Sequence, residues 1–243
     1  MYLLEKFHLV QFYLFSATTL HFGSSSAIVA PNGSGKSAVL DAMQIVLHGG
    51  DQKAIDLNAQ SGGQKGGRSI REYLLGYYRD DENVRDHATC YLTMVFRDST
   101  GKHPLVSVGL CLGATINESK HRVHGMYILP GVDLKLEDHT QTDKGQLVPL
   151  AWSDFKDWAS ERTIAAGGKP DFPRDRVASD FVQRMLFQLR ADRARSIDNV
   201  AFSKALKNAL NLKDVHDASA FVRDRIIEER PINISEFRHQ LET

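Results

Sequence analysis

A run of small residues ending in lysine and serine, Ala30-Pro-Asn-Gly-Ser-Gly-Lys-Ser37, has the composition of a phosphate-binding loop. Small residues let successive backbone N–H groups point at an anion, and a helix that begins there adds its positive end. We expect Lys36 to reach the β- and γ-phosphates as the catalytic cation, and the Ser37 hydroxyl to ligate Mg²⁺. The residues predicted to contact the nucleotide are Asn32, Gly33, Ser34, Gly35, Lys36, Ser37 and Ala38.

The elements around this segment favour the same interpretation. The pattern G-x-x-x-x-G-K-[ST] is met except that Ala30 replaces its first glycine. A bare G-K-[ST] arises by chance in roughly one chain of this length in ten to twenty, so the context must decide. Residues 26–30 form a short apolar run typical of a buried strand, and residues 36–48 have helical apolar spacing. Strand, loop and helix in this order predict a nucleoside triphosphate site.

The rest of the chain predicts strands first and helices second, which indicates an α/β fold with a mixed sheet. Further strands are expected at 7–15, 18–23, 88–97, 104–114 and 122–129, the last three as an antiparallel meander. Further helices are expected at 70–78, 153–161, 175–190, 201–210 and 217–229. We divide the chain into a nucleotide-binding lobe (1–150), a helical lobe (151–230) and the start of a coiled-coil arm (231–243).

Composition excludes several classes of protein. The 243 residues carry no formal net charge, and 42% are hydrophobic, which is ordinary globular composition and argues against a chain-wide basic surface. Two cysteines, Cys90 and Cys111, indicate neither a disulfide framework nor a structural zinc site. The sequence contains no signal-like N-terminus and no long apolar run, so we expect a soluble cytoplasmic protein.

The segment Pro31-Asn-Gly-Ser-Gly-Lys-Ser37, continued by Ala38-Val-Leu-Asp-Ala-Met43, resembles the opening of the SMC and SbcC-type ATPase heads of the ABC superclass. This similarity spans about residues 5–48. Residues 206–213 and 221–225, with the stretch from Pro231 onward, look most like the MukB-like subgroup, which includes the JetC-type ATPases of Wadjet plasmid-defence systems.

This resemblance implies one half of an ATPase head that binds ATP and Mg²⁺. In the family the phosphate loop lies in the N-terminal half, whereas the Walker B acidic pair and the ABC signature lie in a C-terminal half beyond a coiled-coil arm. The implied partners are that C-terminal half, a second head in a homodimer, a kleisin-type subunit and duplex DNA. The implied role is ATP-driven DNA loop extrusion in chromosome organisation or plasmid removal, with nucleoid association.

Residues 61–64, Ser-Gly-Gly-Gln, spell the core of the ABC signature, yet they follow the phosphate loop too closely, and we interpret them as part of a glycine-rich loop. Relatives carry an arginine in that loop which approaches nucleotide or DNA, and Arg68 and Arg71 are the candidates here. The glutamine that ligates Mg²⁺ in the family has three candidates, Gln141, Gln146 and Gln183.

Basic residues outnumber acidic ones between positions 184 and 213, so Arg190, Arg193 and Arg195 form a candidate DNA patch that would read the phosphate backbone. A solvated helical face explains the same residues equally well. His121 and His124 lack a third ligand, which argues against a metal site. Two other functions remain open: a RecF- or SbcC-like repair ATPase, and a module that binds nucleotide without hydrolysing it.

Overall fold

The computed structural model describes residues 1–31, 33–55, 57, 68–78, 82–190 and 199–210. The chain divides into two compact units, residues 1–203 and 204–243, and the description below concerns the first. The strands are β1 (Tyr2–Phe12), β2 (Phe15–His21), β3 (His87–Asp98), β4 (Val106–Thr115), β5 (Arg122–Pro130), β6 (Thr140–Asp143) and β7 (Gln146–Pro149). The helices are α1 (Lys36–Leu47), α2 (Ile70–Leu75), α3 (Trp152–Ala165), α4 (Ala178–Leu189) and α5 (Asn199–Leu210).

Five strands form one antiparallel sheet in the order β2-β1-β3-β4-β5, and β6 pairs with β7 in a separate hairpin. The expected mixed sheet is therefore wrong for the described residues, because every strand pair among them is antiparallel. In the centre of the sheet Leu9 pairs with Leu92, Leu92 with Leu110 and Leu110 with Met126. The predicted meander at 88–97, 104–114 and 122–129 is therefore confirmed as β3, β4 and β5. Long, mostly apolar runs bounded by turns such as Asp98–Gly101 predict these strands.

Both faces of the sheet are covered, because successive residues of a strand point to opposite sides. Leu92 and Met94 face a core shared with α1, α2 and α4, whereas Tyr91 faces a second core built with α3 through Phe155. The helices predicted at 36–48, 70–78, 153–161, 175–190 and 201–210 correspond in order to α1, α2, α3, α4 and α5. The expected helix at 217–229 and the expected arm at 231–243 lie outside the described residues.

The expected strand at 7–15 is wrong in its bounds, because the chain reverses inside it. Phe12 pairs with Phe15 across a two-residue turn, and both Gln11 and Tyr13 adopt positive φ, at 49° and 50°. The turn lies within the uninterrupted run Phe12-Tyr-Leu-Phe15 and contains neither glycine nor proline. Because the residues that usually mark a turn are absent from this run, the sequence predicts one continuous strand.

The expected buried strand at 26–30 is also wrong for this structure. These residues belong to none of the strands, and Val29 is 90% exposed and Ile28 39% exposed. A strand needs a neighbour to satisfy its backbone, and within the described residues no strand pairs with this segment. Residues 26–30 therefore have the apolar composition of a buried strand but pair with no strand of the described sheet.

Candidate nucleotide-binding site

The loop before α1 has the backbone of an anion site. Gly33 and Gly35 adopt positive φ, at 81° and 95°, and Gly35 is the residue that caps the N-terminus of α1. No side chain caps this helix end, and its first turn contains no acidic residue. The first N–H groups of α1 are therefore left available to an anion, which the helix dipole also favours. Phosphate groups fit this arrangement.

Lys36 lies across the loop. Its Nζ donates to the carbonyl oxygens of Ala30, at 2.5 Å, and Pro31, at 2.7 Å. The half-buried side chain thus turns back over the segment that leads into the helix. The ammonium group is placed at the loop itself, where a phosphate would compete with these carbonyls for its protons.

The other predicted loop residues have separate positions. Ser34 closes the turn, because its hydroxyl donates to the Pro31 carbonyl at 2.7 Å and its N–H donates to the same oxygen at 3.3 Å. Ser37 is exposed in the first turn of α1, and Ala38 is buried beneath it. Asn32 lies outside the described residues. Ser37 thus has the accessibility that a Mg²⁺ ligand requires.

Two aromatic side chains from the β1–β2 hairpin form the floor of the loop. A Cβ atom at Gly35 would lie 3.1 Å from the ring of Phe15 and 3.8 Å from the ring of Tyr13. The β1–β2 hairpin, whose turn was not predicted from the sequence, therefore packs against Gly35, the residue at which the loop becomes a helix. The floor leaves little space for a side chain at position 35.

Replacing Gly35 with alanine is expected to weaken ATP binding. The left-handed backbone costs about 1–2 kcal/mol for a residue with a Cβ atom, and here the new methyl group also presses on Phe15. Gly101→Ala is the matched control, since Gly101 has φ of +67° and no neighbour within 4 Å. Thermal unfolding should show a similar backbone cost in both variants, with lost ATP affinity only in Gly35→Ala. Unchanged affinity in Gly35→Ala would contradict this view of the loop.

The structure separates the two candidate arginines. The Arg68 guanidinium lies 5.0 Å from the centre of the Tyr13 ring, whose edge faces Gly35, and the Arg68 side chain also interacts with the Tyr73 hydroxyl. Arg71 instead donates to the carbonyl oxygens of Thr115, at 3.2 Å, and Ile116, at 2.9 Å. Arg68 therefore lies near the phosphate loop, whereas the Arg71 guanidinium binds the end of β4.

Sequence reasoning missed a buried polar pair behind the loop. Asp41 of α1 is 4% exposed and accepts a hydrogen bond from the hydroxyl group of Tyr73 in α2. Burial, and then the Asp41 carboxylate, raise the pKa of Tyr73 above its usual range. The sequence does show an acidic residue, Asp41, among the apolar residues of α1. It gives no indication that the partner is Tyr73, 32 residues further along the chain.

The other candidates do not assemble into a site among the described residues. Arg190 follows α4, with its guanidinium 3.8 Å from the centre of the Phe187 ring, and Arg193 and Arg195 lie outside the described residues, as do residues 61–64. Gln141 and Gln146 lie on the β6–β7 hairpin and Gln183 on α4, all exposed. No cluster of three metal-ligating side chains occurs in the described ranges.

A cleft of about 640 Å³ lies between the end of β5, the segment before α4 and α4 itself. Its lining includes Ile128, Pro130, Arg184 and Phe187, and none of the phosphate-loop residues. Arg184 is already paired with Asp171 and Asp180. Lys169 also lines the cleft, so its two cations are balanced by the Asp171 and Asp180 carboxylates, and the lining has no excess of positive charge to attract a triphosphate.

The comparisons with known proteins agree with the loop geometry. A family model described as the P-loop containing region of AAA domain matches residues 4–64, which include β1 from Leu4 onward, β2, the loop and α1. No curated protein matches the chain. No helix in the described part of the chain combines the length and apolarity needed to cross a membrane. Residues 4–64 are thus similar to a P-loop region, which indicates nucleotide binding at this loop.

Proposed function

We propose that the protein is the ATP-binding N-terminal half of an SMC-like ATPase head. The observation that carries this proposal is the glycine loop at the uncapped end of α1, with Lys36 lying across it. The match of residues 4–64 to a P-loop region supports the nucleotide. The resemblance of residues 31–43 to SMC and SbcC-type heads supports the finer assignment.

The residues have distinct roles in this proposal. Backbone N–H groups of residues 33–38 bind the phosphates, and the Lys36 ammonium stabilises negative charge on the phosphoryl group being transferred. The Ser37 hydroxyl holds Mg²⁺, which neutralises the phosphate oxygens when bound. Hydrolysis in this scheme needs the acidic pair of a C-terminal half and the signature of a second head.

An apolar surface beside the loop, which no described strand covers, supports a composite head. Residues 26–30 expose Ile28 and Val29 directly before the phosphate loop. On α1, Leu40, Met43 and Leu47 share one side of the helix and remain partly exposed, although Met43 and Leu47 also pack against the core. An extended apolar segment is a template for a strand from another polypeptide. We assign this surface to the C-terminal half of the head.

ATP turnover tests the composite head. The chain alone is expected to bind ATP·Mg²⁺ without turnover, and to hydrolyse it once a polypeptide with the Walker B pair and the signature is added. Val29→Lys should block that turnover without changing ATP binding, since Val29 is 90% exposed and lies outside the glycine loop. Leu147→Lys, at a 57% exposed site on β7, is the matched control and should turn over normally.

Three results would contradict this scheme. Turnover by the isolated chain, lost in Lys36→Ala, would mean that one polypeptide holds a complete catalytic set. Full ATP turnover by Val29→Lys with the added half would show that the surface at Val29 does not bind that half. Binding that never leads to turnover would favour a nucleotide-gated module without hydrolysis.

We further propose duplex DNA, a second head in a homodimer and a kleisin-type subunit as partners, with loop extrusion in chromosome organisation or plasmid removal as the role. The local excess of basic residues between positions 184 and 213 supports the DNA contact. A RecF- or SbcC-like repair ATPase is the alternative, and association with a nuclease would favour it.

DNA binding by this patch is expected to be independent of sequence and to depend strongly on salt. If about three phosphate contacts are made, a tenfold rise in salt lowers affinity by more than about a hundredfold. Fluorescence anisotropy with two unrelated duplexes measures this, and Arg190→Ala/Arg193→Ala/Arg195→Ala should flatten the salt dependence. Salt-independent binding, or an unaltered slope in the triple variant, would rule out the patch.

A further inference from the structure

We propose that the outer edge of β2 pairs with the same edge of a second copy of this chain, so that two five-stranded sheets join into one. This inference is independent of the proposed function, because the edge includes neither the phosphate loop nor residues 26–30, which we assign to the C-terminal half. Association through β2 therefore needs no ATP.

β2 is an outer strand of the sheet, with β1 on one side and no described strand on the other. Just past the end of β2, the Phe22 N–H donates to the Glu5 carbonyl at 2.8 Å. Backbone groups of an antiparallel strand alternate between its two sides, so Thr18 and Leu20 also bond β1. The residues whose N–H and C=O groups point away from β1, toward no described partner, are Ala17, Thr19 and His21.

The opposite edge of the sheet, β5, is protected in ways that β2 is not. Ile128 exchanges two backbone hydrogen bonds with Asp171, at 2.9 Å and 3.0 Å, and the strand ends at Pro130, which has no N–H. The pairing of β5 with β4 is also irregular between Cys111 and Leu112. Proteins use prolines, bulges, charged residues and covering segments to keep a sheet edge from pairing with another chain. β2 contains no proline and no Lys, Arg, Asp or Glu.

The sequence of β2 is complementary to itself. A two-fold axis through Thr19 makes two copies of β2 antiparallel and places Thr19 opposite Thr19, and Ala17 opposite His21. Each of these pairs can exchange two backbone hydrogen bonds. On one face of the joined sheet, Leu20 of each copy lies beside Thr18 of the other. No like charges meet along the two strands, so a second copy of the chain fits this edge.

The interface is short, so the dimer is expected to be weak. The seven residues of β2 span about 23 Å, and pairing along one strand buries less surface than a standard protein interface. We expect a dissociation constant on the order of micromolar, so that dilution returns the chain to monomer.

Amide hydrogen exchange at single-residue resolution tests the proposal on the wild-type chain without nucleotide. Sedimentation velocity first gives the concentrations at which the chain is monomer and dimer. The amides of Ala17, Thr19 and His21 should exchange at least about tenfold more slowly in the dimer, because each gains a hydrogen bond. Thr18 and Leu20 are the internal control, since their amides bond β1 and should be protected at every concentration.

Replacing Ala17 with proline tests the same edge by mutation. Proline is tolerated where a strand's N–H faces away from the sheet, so the bonds to β1 are kept while each copy loses one outward donor. Association should weaken by about tenfold or more, as for two lost hydrogen bonds per dimer. Ala151→Pro is the matched control, because Ala151 is exposed, lies before α3 and has φ of −62°, which proline adopts. It should associate like the wild type.

Three results would overturn the β2 dimer. One is a monomer at all concentrations, and another is a dimer whose Ala17, Thr19 and His21 amides exchange as fast as in the monomer. The third is protection of these amides only when a different polypeptide, such as the C-terminal half, is added. The proposed function survives each of them if ATP binding depends on Lys36. A wild type that dimerises through β2 but binds no ATP would overturn the proposed function alone.

Discussion

Replacing Lys36 with alanine is expected to weaken ATP·Mg²⁺ binding by at least about tenfold, because a hydrogen bond to a charged group contributes about 1.5–3 kcal/mol. The Lys36 ammonium already lies at the loop, within 2.5 Å and 2.7 Å of two carbonyl oxygens. No other lysine lies between residues 7 and 52, so no neighbour in that stretch replaces its charge. Calorimetric titration with ATP in the presence of Mg²⁺ measures the loss.

The matched control is Lys102→Ala, which removes an exposed lysine from the turn between β3 and β4. It should bind ATP like the wild type. Thermal unfolding of Lys36→Ala without nucleotide should remain within a few degrees of the wild type, since Lys36 contacts only backbone oxygens at the surface end of the loop. Unchanged ATP affinity in a folded Lys36→Ala variant would refute the assignment of Lys36.

Acid is expected to destabilise the protein through His139. This side chain is fully buried, where its Nδ1–H donates to the Lys135 carbonyl at 2.9 Å and its Nε2 accepts from the Thr93 hydroxyl at 2.7 Å. Burial, and then the nearby His8, lower the pKa of His139 from 6.5 to about 3.

Because the folded pKa lies below the unfolded one, the unfolded state takes up the proton first as pH falls. The stability is fully present above pH 6.5 and is lost as pH falls toward 3. A fall to pH 4.5 therefore costs about 2–3 kcal/mol from this residue alone.

Urea denaturation at pH 7 and pH 4.5 measures this cost. The difference between the two pH values should shrink by about 2–3 kcal/mol in His139→Gln, which has no proton to gain. His87→Gln, at an exposed site on β3, should keep the full difference. An equal pH dependence in wild type and His139→Gln would show that His139 is not held neutral by the fold.

The nucleotide loop and the meander were predictable because their signals are local. A glycine-rich turn followed by an amphipathic run predicts the start of a helix, here α1. The apolar residues Val39, Met43 and Val46 have the spacing of a helix. Strands β3 to β5 each combine a long apolar run with clear turns. Both features can be predicted without knowing which residues pack against them.

The missed features depend on contacts distant in sequence or on a partner. The turn at Tyr13 lies in an apolar run, and it is fixed by a contact distant in sequence, the hydrogen bond from the Tyr13 N–H to the Tyr73 carbonyl. Residues 26–30 have a strand composition without a pairing strand in the described sheet. Arg68 and Arg71 look alike in sequence, and only the packing of α2 places one on Tyr13 and the other at Thr115.

Amide hydrogen exchange with and without ATP·Mg²⁺ measures whether this loop binds ATP. We expect slowed exchange over residues 33–40, where the loop and the first turn of α1 supply the phosphate-binding N–H groups. Lys36→Ala should abolish that protection. Absence of protection over residues 33–40, or protection confined to the cleft residues 169–188, would contradict the account.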